Sequence, residues 1–184
     1  MLTGRFAPSP SGRMHLGNVF SALLAWLSVR SRSGRMLLRI EDLDPDRCRP
    51  DYIETLKRDL DWLGLDWDEE QTPQSRRADA YQAEFEKLCT LGLVYPCYCS
   101  RAELHAASAP HASDGNVIYA GTCRSLTEAE RAAKTRAPAW RVIVPDTSIT
   151  VQDGLQGAYT ENLARDCGDF IIRRSDGVYA YQLA

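Results

Sequence analysis

The chain has no apolar run long enough to cross a bilayer. Its most apolar stretch, Val19 to Val29, is too short to span and closes on Arg30 and Arg32. Its first residues, Met1-Leu2-Thr3-Gly4-Arg5, lack the apolar core of a secretory leader. A soluble cytoplasmic protein with no membrane partner is expected. There is no excess of basic charge: Lys and Arg number 22, Asp and Glu 25, and the net charge is −3. Without a global positive field, any contact with RNA must come from a local patch. No internal repeat and no low-complexity tract occurs. No Gly-Lys-Ser/Thr loop and no dinucleotide fingerprint is found either, so the two commonest phosphate-binding motifs are excluded.

What the chain does have is enough material for one good core, or a core plus a small lobe: 184 residues, 44% hydrophobic and 26% charged. Residues 5 to 18 are the most informative. A short strand start, Leu2 to Ala7, enters a Pro8-Ser9-Pro10 loop that delivers His15, Gly17 and Asn18 to the start of an amphipathic helix over 16–30. Backbone N–H groups and the helix dipole at such a start attract phosphate. Phe20, Leu23, Leu24 and Leu27 share a helical face that should pack on the first strand. Met36 to Ile40 reads as a buried parallel strand, so strand, helix and strand form a βαβ unit. Its ligand site lies at the C-terminal strand ends, where the Ala7–Ser9 loop and Glu41-Asp42 should meet. Helices are expected around Ile53–Leu63 and from about Ser75 to Leu88, and strands at 140–144, 149–151, 170–172 and 178–181. Asp176-Gly177 marks a hairpin.

Two clusters carry chemistry. The first is Glu41, Asp42, Asp44 and Asp46, which could hold Mg²⁺ or a substrate ammonium group, with Arg5 a natural partner for a substrate carboxylate. The second is Cys97-Tyr98-Cys99 with Cys123, a metal constellation that needs one more ligand; His105, His111 and Tyr119 lie between. In a reducing compartment the six cysteines are thiols or metal ligands rather than disulfides, and Cys48, Cys89 and Cys167 are isolated. Arg30, Arg32, Arg35 and Arg39, with Arg173-Arg174, could meet RNA phosphates or simply form a solvated face.

Arg5-Phe-Ala-Pro-Ser-Pro-Ser-Gly12 followed by His15-Leu-Gly-Asn18 resembles the first signature of class I aminoacyl-tRNA synthetases of the glutamyl/glutaminyl group. Asn18 stands where that signature has a second His, giving a hydrogen-bonding but uncharged group. The resemblance implies an α/β, Rossmann-like catalytic domain with an inserted, mostly helical zinc-bearing lobe. The expected segments are 1–94 for the first half of the nucleotide- and glutamate-binding domain, 95–135 for the lobe and 136–184 for a strand-rich continuation. It assigns His15, Gly17 and Asn18 to ATP, with His15 and Asn18 catalytic. Arg5, Phe6, Ala7, Pro8, Ser9, Glu41 and Tyr181 fall to glutamate, Glu41 pairing with its amino group.

Cys97-x-Cys99 with Tyr119-x-x-x-Cys123 resembles the zinc site of the family's glutamyl-queuosine tRNA(Asp) branch, which implies Tyr119 as the fourth ligand. The implied partners are glutamate, ATP with Mg²⁺, and tRNA(Asp) carrying queuosine, and the protein is expected to be a monomer. The implied reaction is activation of glutamate to glutamyl-AMP, then transfer to RNA. The alternatives are a truncated enzyme charging the tRNA 3′ end, or a non-catalytic glutamate- or nucleotide-binding module. Neither the Lys-Met-Ser-Lys-Ser-like loop nor the further glutamate-binding Arg of the family's second Rossmann half occurs in these residues, so that half is expected to be absent from this chain.

Overall fold

A computed structural model describes residues 1–100, 102–103 and 118–184; His105 and His111 lie outside the described residues. The chain divides into two compact units, Met1–Ala80 and Tyr81–Ala184.

The first unit is built on a parallel sheet in the order β1-β2-β3: Thr3–Phe6, Arg35–Arg39 and Glu69–Gln71. α1 (Leu16–Arg30) links β1 to β2, and α2 (Pro50–Trp62) lies in the crossover to β3. Pro50 starts α2 at a position where its missing N–H costs nothing. Leu56 and Leu60 of α2 join Ala22, Leu38, Ile40 and Leu65 in the core, with Phe6, Met14, Trp26, Ile53 and Trp67 packed around them.

The face of α1 that reaches the sheet is not the expected one. Phe20, Leu23, Leu24 and Leu27 are 59%, 38%, 50% and 47% exposed, whereas Ala22 and Val29 are buried. Two glycines decide this. A Cβ at Gly4 would stand 2.2 Å from Cγ2 of Val29, and one at Gly34 would stand 3.0 Å from its Cγ1. Only bare backbone in β1 and in the turn before β2 lets Val29 seat, and that seating turns the helix.

The second unit centres on an antiparallel sheet, β4-β5-β8, of Val94–Cys97, Ala139–Val142 and Ile171–Arg173. α3 (Ala78–Thr90) supplies buried Tyr81 and Phe85; Phe85 meets Trp140 edge-on with ring centres 5.2 Å apart. α4 (Glu128–Ala132) carries a Thr127/Glu130 capping box. β6 (Ser148–Asp153) and β7 (Gly157–Asn162) form a separate hairpin, which the short α5 (Leu163–Asp166) follows. β7 escaped the sequence pattern because it is largely exposed and carries no alternating apolar face. The expected strand at 178–181 is reduced to a bridge between Tyr179 and Arg173. Tyr181 sits in a turn and is 72% exposed. Among the described residues no helix is long and apolar enough to cross a membrane.

Candidate functional site

The first site lies where β1 and β2 end. The Glu41 N–H donates to the Pro8 carbonyl at 3.0 Å, which joins the two sequence motifs. A cavity of about 570 Å³ opens there, lined among others by Phe6, Ala7, Pro8, Ser9, His15 and Asn18. That is the size of a small-ligand or cofactor pocket. His15 caps α1: its Nδ1 accepts the Gly17 N–H at 3.1 Å, and Asn18 Oδ1 accepts the His15 N–H at 3.2 Å. Since Nδ1 accepts, the neutral ring carries its proton on Nε2. Nε2–H and the Asn18 amide N–H groups are therefore donors left over from the capping.

Arg5, Gly17 and Glu41 are not among the cavity's lining residues. Arg5 is exposed and makes no side-chain hydrogen bond or ion pair among the described residues. Glu41 is buried and pairs through Oε1 with Arg39 Nη2 at 2.5 Å, while its Oε2 makes no hydrogen bond among the described residues. Asp42 accepts from the Ser75 N–H and hydroxyl at 2.8 and 2.6 Å, so it holds the 3₁₀ turn Gln74–Arg77. Tyr181 belongs to the second unit.

Most of the expected arginine face is paired with acids, although among the described residues Arg32 makes no ion pair. Arg30 pairs with Asp66 and Asp68, Arg35 with Glu69, and Arg39 with Glu41. Arg173 lies over Phe85 and Tyr179, and Arg174 pairs with Asp176.

The second site gathers the cysteines. One donor atom each from Cys97, Cys99 and Cys123 lies within 4.8 Å of the others. Tyr119 Oη is 3.4 Å from Cys97 Sγ and 3.8 Å from Cys99 Sγ, and it accepts the Cys123 N–H at 2.9 Å. Three thiols and a phenol converging on one point suit a tetrahedral soft cation. Burial pushes the Cys99 thiol up to about 11 and raises the Tyr119 hydroxyl well above its ordinary value. At Cys123 burial also opposes ionisation, but hydrogen bonds led by that from Tyr119 hold the thiol below its ordinary value. Cys48, Cys89 and Cys167 form no disulfide and lie apart from the cluster.

A set of residues around this cluster went unnoticed in the sequence. Asp169, only 2% exposed, accepts from the Tyr95 hydroxyl at 2.6 Å, from Arg124 Nε at 3.0 Å and from the Val144 N–H at 3.0 Å. Its carbonyl accepts from Arg141 Nη1. Burial works to raise its carboxyl, yet these donors, Arg124 first, hold it below the usual carboxylate range. Gly168 pairs with Tyr119; a Cβ there would stand 2.9 Å from the Tyr119 carbonyl oxygen, and its φ is +70°. Arg124 follows Cys123 directly, the one local hint in the sequence; Asp169 offers none.

All 184 residues match the family described as tRNA synthetases class I (E and Q), catalytic domain. A glutamyl-Q tRNA(Asp) synthetase of Nitratidesulfovibrio vulgaris is 50% identical over 196 aligned positions, covering 100% of this chain and 60% of that protein. One from Neisseria meningitidis serogroup C is 46% identical over 184, covering 100% and 61%. The chain thus spans about 60% of the length of these curated relatives. Among solved structures, a glutamate tRNA ligase from Elizabethkingia meningosepticum, in complex with its amino acid, aligns with a TM-score of 0.78 at 30% identity, covering 99% of this chain and 40% of that one.

Proposed function

Because this chain belongs to the class I tRNA synthetases of the glutamate and glutamine group, matching their catalytic domain, we propose that it serves ATP-dependent activation of L-glutamate and transfer of the glutamyl group to queuosine in tRNA(Asp). The observation that carries the activation half is the His15-capped start of α1 at the mouth of the cavity at the ends of β1 and β2. The names of the relatives that match the whole chain support the queuosine half.

The α-carboxylate of glutamate attacks the α-phosphorus of ATP in line, releasing pyrophosphate and forming glutamyl-AMP. No enzyme nucleophile takes part. His15 Nε2–H and Asn18 Nδ2–H donate to phosphate oxygens, and the α1 dipole adds positive potential there. Arg5 takes the side-chain carboxylate through its two parallel donors. Glu41 accepts the ammonium group at Oε2 while Arg39 holds Oε1, so the carboxylate is oriented before substrate arrives. Ser9, with Phe6, Ala7 and Pro8, shapes the wall, and the family resemblance assigns Tyr181 to the amino acid as well. Mg²⁺ enters with ATP.

Cys97, Cys99, Cys123 and Tyr119 hold a structural zinc ion. Their converging donors suit it, and when bound it supplies a cross-link between β4 and the 119–123 turn.

The test uses protein expressed from the complete coding sequence. Labelled glutamate should pass to tRNA(Asp) that carries queuosine, and not to the same tRNA from cells unable to make the base. Label on tRNA(Glu) that leaves with the chemistry of a 3′ ester would instead support 3′-end charging, the reading that the Elizabethkingia glutamate tRNA ligase favours.

A further inference from the structure

Arg141 poses a problem that the fold alone does not answer. It lies in the central strand β5 and is only 6% exposed. Among the described residues no carboxylate lies within ion-pair distance of its guanidinium. Nη1 donates to the Asp169 carbonyl, while Nε is buried with no hydrogen-bond partner among the described residues. The Asp169 carboxylate is already taken by Tyr95, Arg124 and the Val144 N–H. A buried cation is costly unless something pairs with it.

Its neighbours identify what does. The guanidinium carbon stands 3.8 Å from the centre of the Tyr119 ring, so the plane covers the face of that ring. In the β4–β5 ladder Arg141 is directly opposite Tyr95, and Cys97 is two residues further along the same face. Residues so related lie roughly 7–8 Å apart on one side of a sheet. The cation therefore faces the phenol and thiol cluster from the sheet side. Three thiolates and a phenolate around a dication carry an excess of negative charge, and a buried cation offsets that excess.

We propose that Arg141 is a positioning residue of the metal site: stacked on Tyr119, it aims the phenol into the Cys97–Cys99–Cys123 cluster and balances the charge of the loaded site. The inference rests on the reading of those four residues as a zinc site. Asp169 completes the device. It fixes Arg141 through its carbonyl and fixes Arg124, the neighbour of Cys123, through its carboxylate.

The test measures zinc affinity by competition with a chromophoric chelator, and melting with and without zinc, in the native chain, Arg141→Met, Arg141→Lys, Tyr119→Phe and the Arg141→Met/Tyr119→Phe double variant. Arg141→Met should weaken zinc binding about 10- to 100-fold, the usual scale for residues that orient ligands. It should lower melting less without zinc than with it. Arg141→Lys keeps the charge and gives up the stacked plane, so it should lose only part of the affinity. With Tyr119→Phe in place, Arg141→Met should cost clearly less, because the residue acts through that ring. Unchanged affinity in Arg141→Met, or equal losses of melting temperature with and without zinc, overturns the proposal in favour of a merely structural role. Should the Met variant fail to fold, Arg141→Lys decides: a severalfold loss of affinity with unchanged metal-free melting supports the proposal, and unchanged affinity overturns it. A native chain that binds no zinc is a different result, and sinks the zinc site itself.

Discussion

Replacing Asp169 should damage the second unit more than any surface charge could. The side chain is 2% exposed and gathers donors from three separate segments. In Asp169→Ala the Tyr95 hydroxyl and the Val144 N–H, in residues 4% and 6% exposed, lose their acceptor. Each orphaned buried group costs about 1–3 kcal/mol. Arg124 adds little, because its side chain is 47% exposed and rehydrates. The expected loss is therefore roughly 4 kcal/mol, a large share of the ~5–15 kcal/mol that holds a domain together. Urea unfolding with a chelator present, to remove any metal contribution, measures it; a loss below about 1 kcal/mol would refute the reasoning.

The same carboxylate also sets a pH dependence. Its folded pKa is depressed, so the unfolded chain binds the extra proton, and the stabilisation is complete above the ordinary Asp value of about 4. It is lost as pH falls through the lower, folded value. The gap in stability between the native chain and Asp169→Asn should thus narrow below about pH 4; a gap that widens in acid would mean that the carboxylate is not the stabilising form.

Gly168→Ala should cost about 2–4 kcal/mol, combining strain at φ +70° with a backbone clash against Tyr119. Gly157→Ala, at φ +83° with nothing within 4 Å, is the control and should cost only about 1 kcal/mol; equal melting temperatures for the two would remove the clash from the argument. His15→Ala should cost the first unit about 1 kcal/mol of capping and weaken nucleotide binding, while His15→Asn keeps the cap and loses the Nε2 donor. Calorimetric titration with ATP beside urea unfolding separates the two effects. Cys99→Ser should lower zinc content by elemental analysis, and an unchanged content would remove Cys99 from the ligand set.

The parallel βαβ unit was legible because its cues are local: a continuous apolar run for β2, and a Pro/Ser loop that runs straight into a helix start. The orientation of α1 was not. That helix is apolar on nearly every side, so its periodicity names no single face, and the choice falls to Val29 seating between two glycines far apart in sequence. The cysteine spacing was legible for the same local reason, whereas Tyr119 came only through the family resemblance. The cluster's support was not legible, because Asp169 reaches Tyr95 and Arg124 across 74 and 45 residues, and a lone Asp carries no pattern. The short strand β7 lacked an apolar face to announce it.

The arginines sharpen this point, since charge seen along a sequence is not charge offered to a partner. Arg30, Arg35 and Arg39 look like a basic stripe, yet each is matched by an acid: Asp66 and Asp68, Glu69, and Glu41. A guanidinium held between two carboxylates attracts a phosphate chain weakly, because its own pairs must first be broken. Uncommitted polar groups do gather near the strand ends: Arg5, Oε2 of Glu41, and the donors left over on His15 and Asn18. They include a cation, an anion and neutral N–H donors. A zwitterion with a second carboxylate, beside a phosphate chain, asks for that combination. The groups left unpaired at the strand ends thus support the proposed amino-acid and nucleotide site, while the pairing of Arg30, Arg35 and Arg39 weakens the case for RNA on the arginine face.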